Sequence, residues 1–132
     1  MNAKIKSIRS PLGKVRGLGS AKSGTEHWLM QRMTALALIP LTLYVLIGFF
    51  DNAMTGGYSG AMYWLQSPVS ATFSILLLLA GLHHAVAGLQ VVIEDYVHCE
   101  ATKFGALFII KFIAASLAIL GTLSVAKIFF GV

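Results

Sequence analysis

The chain has 132 residues, of which 57% are hydrophobic and only 11% charged, and its mean hydropathy is +0.79. A soluble domain of this length has too little interior to hide that much apolar surface, so the composition excludes a soluble globular protein and points to a membrane protein of one domain. The net charge of +5 is no nucleic-acid footprint, because six of the ten basic residues (Lys4, Lys6, Arg9, Lys14, Arg16 and Lys22) crowd into the first 22 positions.

Residues 1–22 read as a flexible basic tail. It holds serines and no acidic residue before Glu26, a composition shared with mitochondrial transit peptides. Pro11, Gly13, Gly17 and Gly19 oppose the amphipathic helix such a peptide needs, so a plain cytoplasmic tail is preferred. No secretory signal fits, since the first long apolar run begins past residue 30. Ser23-Gly24-Thr25-Glu26 has the form of a capping box, with Ser23 as N-cap. The first helix is therefore expected from Gly24 to Phe50, containing the uncharged run Met33–Phe50. Trp28 and Arg32, four residues apart, share a face just before the membrane. Pro40 lies mid-span and predicts a kink or help from a neighbouring helix.

The segment Asp51–Ser67 reads as an outer loop. Gly56, Gly57 and Gly60 suggest irregular backbone there, and Tyr58, Tyr63 and Trp64 suit a membrane interface. It has no Lys or Arg, so the positive-inside rule places the N-terminus in the cytoplasm and, after three spans, the C-terminus outside. Ser67-Pro68 opens the second helix as N-cap and first helical residue, and the run Val69–Ile93 carries no Asp, Glu, Lys or Arg. A connection over Asp95–Lys103 returns inside. The third span, Phe104–Val125, is interrupted only by Lys111, and its helix is expected to end near Lys127 with Phe129 and Phe130 at the outer interface. The fold class expected is thus an all-α membrane protein of three transmembrane helices, with residues 23–132 as the membrane domain. The single Cys99 excludes an intramolecular disulfide and reads as a reduced thiol at the interface.

The chemistry concentrates in the second helix. At 100° per residue Gly81, His84, Gly88, Val91 and Asp95 fall on one stripe. His84 precedes Asp95 by eleven residues, roughly 16 Å of helix axis, which puts His84 near mid-membrane if Asp95 marks the cytoplasmic edge. Ionisable groups at that depth are costly and mark functional sites. Gly81 and Gly88 beside His84 leave a flat recess that a porphyrin could fill; close helix packing explains them equally well. His83 points about 100° away, on a stripe with Ala87, Gln90 and Glu94, where a polar packing role is preferred to ligation. The four histidines are His27, His83, His84 and His98; two lie at the interface and two are neighbours, so a bis-histidine haem needs its second ligand from another polypeptide. At the cytoplasmic edge Trp28, Arg32, Asp95 and Tyr96 are expected to converge. Their donors suit a quinone head group, although residue types alone favour interfacial anchoring.

Glu26-His27-Trp28 followed by Arg32, and His84 with Gly88, Gln90 and Asp95-Tyr96-Val97-His98, resemble the small membrane anchor subunit of succinate dehydrogenase, the D-type cytochrome b anchor of complex II. The likeness covers about residues 24–130, its third helix by hydrophobicity alone. It implies that His84 is one axial ligand of a haem b, the metal it would hold being the haem iron. It further implies that Arg32 sits by the haem propionates and the quinone pocket, with Gly88 beside the haem, and that Tyr96 hydrogen-bonds ubiquinone with Asp95 and Trp28 nearby. The implied partners are a second membrane anchor subunit of cytochrome b type, which supplies the other haem ligand, together with an iron–sulfur subunit, a flavoprotein subunit and membrane lipid. Such a subunit is not catalytic alone, and succinate oxidation belongs to the soluble partners. The expected location is a bacterial inner membrane, preferred to a mitochondrial one. Two rivals remain at this stage: a small transporter relaying protons through His84, Asp95 and Lys111, and a structural anchor without cofactor.

Overall fold

A computed structural model describes residues 24–131; the basic tail and the Ser23 cap lie outside the described residues. Among them there are three helices: α1 (Gly24–Leu65), α2 (Pro68–Tyr96) and α3 (Glu100–Phe130). All three are long and apolar enough to cross a membrane, and no strand accompanies them. The all-α, three-span class expected from the hydropathy pattern therefore holds.

The outer segment differs from expectation. Residues 51–65 are helical rather than looped, and Gly57 alone leaves helical geometry, at φ 59° and ψ −146°. The polar residues after Phe50 satisfy themselves within the helix: Asn52 Nδ2 donates to the Gly48 carbonyl at 2.8 Å, and Thr55 Oγ1 to the Asp51 carbonyl at 2.8 Å. Back-bonds of this kind satisfy the side chains one turn back without leaving the helix. At Gly57 the chain turns back on itself. A Cβ placed on Gly48 would lie 2.7 Å from the Trp64 ring, and one on Gly60 would run into the Asn52 carbonyl. In a straight helix residues 48 and 64 would stand about 24 Å apart. The short arm after Gly57 thus folds beside the end of the long one. Pro40 stays within helical φ/ψ, and the residue inside α1 that leaves it is Gly57.

The remaining boundaries move by a few residues. Asp95 and Tyr96 belong to α2, which leaves a connection of only Val97–Cys99 in place of Asp95–Lys103. The third helix runs past Lys127 to Phe130 and is closed by Gly131 in the left-handed conformation, its N–H donating to the Lys127 and Ile128 carbonyls. Lys127 in that last turn complements the helix dipole.

Helices pack in this chain through small residues. The buried positions are Ala61, Ser70, Ala71 and Ala87, and none is large. Lipid tails are as apolar as leucine, so burying large side chains between helices gains little in a membrane, whereas small residues let backbones approach. The α1–α2 seam is antiparallel: Leu38 meets Gly81, Thr34 meets His84 and Gln31 meets Gly88. On the α2–α3 seam Leu78 fills the space where a Gly121 side chain would stand. Near the outer end Tyr44 packs between Phe73 and Trp64, with ring centroids 4.7 and 6.0 Å away.

Candidate functional site

His84 is half-buried on the face of α2 that meets α1. Its Nδ1 lies 3.1 Å from Thr34 Oγ1, across 50 residues of sequence. The Thr34 hydroxyl also approaches the Met30 carbonyl at 2.9 Å and the Gln31 carbonyl at 3.0 Å. The two nitrogens of an imidazole leave its ring from different edges, so Nε2 of His84 is directed away from this contact. Sequence reasoning picked His84 and missed Thr34. The signal was present, because Gln31, Thr34 and Leu38 recur at helical spacing, but their partner on another helix is not written in it.

Gly81 and Gly88 lie on the side of α2 that faces α1. A Cβ on Gly88 would lie 3.7 Å from Gln31 Nε2, and one on Gly81 would lie 3.9 Å from a Leu38 methyl. Both glycines therefore sit beneath α1 side chains, in ordinary contact.

His83 is exposed and faces elsewhere. A cavity of about 530 Å³ opens among the three helices on its side, lined by Glu26, Met30, His83, Val86, Ala87, Gln90 and Lys111. Within the polar stripe of α2, Gln90 Nε2 donates to Glu94 Oε1 at 2.8 Å, so the two side chains satisfy each other. Lys111 borders this cavity and not His84, and no hydrogen bond joins His84, Asp95 and Lys111 among the described residues. A relay through those three has no path of contacts.

At the end of the bundle where α1 begins and α2 ends, the expected cluster is partly formed. The Arg32 guanidinium lies over the Trp28 ring, 5.6 Å from its centroid. Asp95 and Tyr96 occupy the last turn of α2, both exposed. No side-chain hydrogen bond or ion pair joins Arg32 to either among the described residues. The donors share one end of the bundle and remain free for a ligand or a partner chain.

The described residues contain no group of three metal-ligating side chains. A haem iron does not require one. The porphyrin supplies four nitrogens, and the protein adds only axial ligands. His84, with one ring nitrogen engaged by Thr34 and the other directed away, fits one half of such a pair.

Residues 6–121 match the family model described as the transmembrane subunit of succinate dehydrogenase/fumarate reductase. The chain belongs to this family. Among relatives of the succinate dehydrogenase/fumarate reductase transmembrane subunits, a Rickettsia bellii protein named succinate dehydrogenase hydrophobic membrane anchor subunit is 35% identical, over 82% of this chain and 93% of its own length. A Reclinomonas americana succinate dehydrogenase membrane anchor subunit is 36% identical over 70% of this chain and 79% of its own. A Paracoccus denitrificans hydrophobic membrane anchor subunit is 27% identical over 78% and 79%. The resemblance to the succinate dehydrogenase membrane anchor is thus borne out over most of the chain, as is its class: a multi-pass membrane subunit that is not catalytic alone.

Proposed function

We propose that this chain anchors succinate dehydrogenase in a bacterial inner membrane, gives one axial ligand, His84, to a haem b shared with a second membrane anchor subunit, and helps form the ubiquinone-reducing site at the cytoplasmic face. The observation that carries the ligand assignment is the half-buried His84, one ring nitrogen held by Thr34 and the other turned away from it. His83 has no such anchor among the described residues and opens on a cavity bordered by Lys111, a poor neighbour for an iron. Bound haem would supply a one-electron carrier between the helices. Its other axial ligand comes from the second anchor subunit.

Arg32, on α1 two residues before Thr34, serves the haem propionates and the quinone pocket, where its planar guanidinium suits carboxylate oxygens. Trp28 holds it from one side. Gly88, one turn from His84, keeps this part of the seam thin. Tyr96 donates its hydroxyl hydrogen to a quinone carbonyl, and Asp95 beside it relays protons from water at the membrane edge to the quinone as it is reduced. The iron–sulfur and flavoprotein subunits dock on this face, and the soluble part oxidises succinate.

The test is a pair of neighbouring substitutions. In the purified complex His84→Ala removes the low-spin bis-histidine signature of the ferric haem, while His83→Ala leaves it intact. The reverse pattern would move the ligand to His83 and defeat the assignment. A fully assembled complex with no b-type absorption at all would leave the chain as a purely structural anchor.

A further inference from the structure

We propose that Thr34 is a positioning residue for His84: its hydroxyl oxygen accepts the Nδ1–H of the imidazole, which fixes the tautomer and leaves Nε2 with the lone pair that an iron requires. This rests on reading His84 as an axial ligand. Thr34 touches no iron; it acts through His84.

The argument is a count of protons. A threonine hydroxyl has one hydrogen to give and can accept two. Three groups surround Thr34 Oγ1: the Met30 carbonyl at 2.9 Å, the Gln31 carbonyl at 3.0 Å and His84 Nδ1 at 3.1 Å. The two carbonyls can only accept. They are also the nearer two, and they lie in the preceding turn of the same helix, where threonine back-bonding is a standard arrangement. The single hydroxyl hydrogen is spent on them. Toward His84 the oxygen then has only lone pairs to offer, so Nδ1 must bring the hydrogen. A neutral imidazole carries one N–H, and Nε2 is bare.

The opposite tautomer fares worse on each point. It draws the hydroxyl hydrogen toward the most distant of the three partners. It leaves two carbonyl contacts without a proton. It also places an N–H on Nε2, for which no acceptor is found among the described residues. A hydrogen bond on the outer ring nitrogen is the usual means by which proteins orient a metal-bound histidine and raise its donor strength.

Leu38 faces Gly81 and Gln31 faces Gly88 one turn either side of the Thr34–His84 contact, so α1 and α2 lie against each other along this stretch.

The test uses the purified complex and three variants at one position. Thr34→Val keeps the branched shape and removes the hydroxyl; Thr34→Ser keeps the hydroxyl; Thr34→Ala is read where Thr34→Val fails to assemble. Loss of the hydroxyl should speed haem transfer to apomyoglobin by about 10–100-fold, the usual effect of removing a metal ligand's outer partner. It should also alter the low-spin ferric resonance and raise the haem midpoint potential, because a less electron-rich imidazole favours ferrous iron. Thr34→Ser should restore all three toward the native values. Native transfer rate, resonance and potential in both Thr34→Val and Thr34→Ala overturn the proposal. So does a Thr34→Ser variant as perturbed as Thr34→Val, which would show that shape and not the hydroxyl matters. His84→Ala runs alongside: an unchanged bis-histidine resonance there sinks the ligand assignment itself, whereas loss of that resonance with silent Thr34 variants sinks only the positioning role.

Discussion

Tyr96 is the last residue of α2, 78% exposed, and its hydroxyl bonds no side chain among the described residues. A phenol at the membrane edge with its hydrogen unspent can serve a carbonyl ligand. Tyr96→Phe is therefore expected to leave assembly and dye-linked succinate oxidation near native and to lower quinone reduction. One neutral hydrogen bond is worth about 0.5–1.5 kcal/mol net, which corresponds to a loss on the order of two- to tenfold in kcat/KM for quinone. Steady-state kinetics with a short-chain ubiquinone measures it, and unchanged quinone kinetics would remove Tyr96 from the site. Arg32 illustrates what residue types alone leave open. Its i, i+4 spacing to Trp28 was legible, and the contact is present at 5.6 Å. A guanidinium over an exposed indole contributes about 0.5–1 kcal/mol, too little to be its whole purpose in a chain this sparing of charge. Thr34 was legible as part of a helical stripe, but its partner was not. Threonine is a common membrane residue, and only the rotation of α1 about its own axis turns it toward His84.

The helices show where local chemistry outvoted a pattern. Three glycines within five residues suggested a loop over Asp51–Ser67, yet Gly56 and Gly60 are helical and Gly57 alone carries the reversal. Gly57 lies near the region of φ/ψ that essentially only glycine enters, where a side chain costs about 1–3 kcal/mol. Gly56, its neighbour, has open space around its Cα hydrogens and helical geometry. The same substitution should then act with opposite signs at adjacent positions. Gly57→Ala should destabilise by about 1–3 kcal/mol, and Gly56→Ala should be neutral or stabilise by up to about 1 kcal/mol through helix propensity. Denaturant titration of the complex in detergent, followed by helical circular dichroism, compares the two. Equal tolerance of both changes would mean that the chain does not depend on a reversal at Gly57. The Thr55 and Asn52 side chains find their partners in carbonyls one turn back, inside the helix.

At the scale of the whole molecule, large apolar side chains face outward on every helix: Leu36 is 62% exposed, Ile47 67% and Phe112 65%. Three helices whose buried residues, among those described, are alanines and one serine are not stable against water, and lipid or partner helices must cover them. The charge pattern proposes the sidedness, with the N-terminus cytoplasmic. The connection between α2 and α3 holds the chain's single cysteine, Cys99, which is exposed. Its thiol pKa is held below its ordinary value, chiefly by the backbone N–H of Thr102 and next by that residue's side chain. An impermeant maleimide should label this subunit in inverted inner-membrane vesicles and spare it in right-side-out ones. A lowered pKa favours the thiolate, so the labelling rate should reach half its maximum at a lower pH than for free cysteine. Labelling from the outer side alone would reverse the proposed topology.

The sequence by itself determined the class of the protein, because lipid leaves a long apolar run no option but a helix, and three such runs stand apart in the chain. It also carried the family resemblance, in Glu26-His27-Trp28 with Arg32 and in His84 with Gly88, Gln90 and Asp95-Tyr96-Val97-His98, and the family match covers residues 6–121. Tertiary structure decided the rest. Whether Gly81 and Gly88 faced a recess or a neighbour depended on which side of α2 received α1, and they face Leu38 and Gln31. Whether His84 stood alone depended on the same rotation, and it meets Thr34. Periodicity fixes which residues share a face of one helix. The pairing of two faces is set by the depth and rotation at which small residues let the helices approach, and those are properties of the pair, not of either strip of sequence.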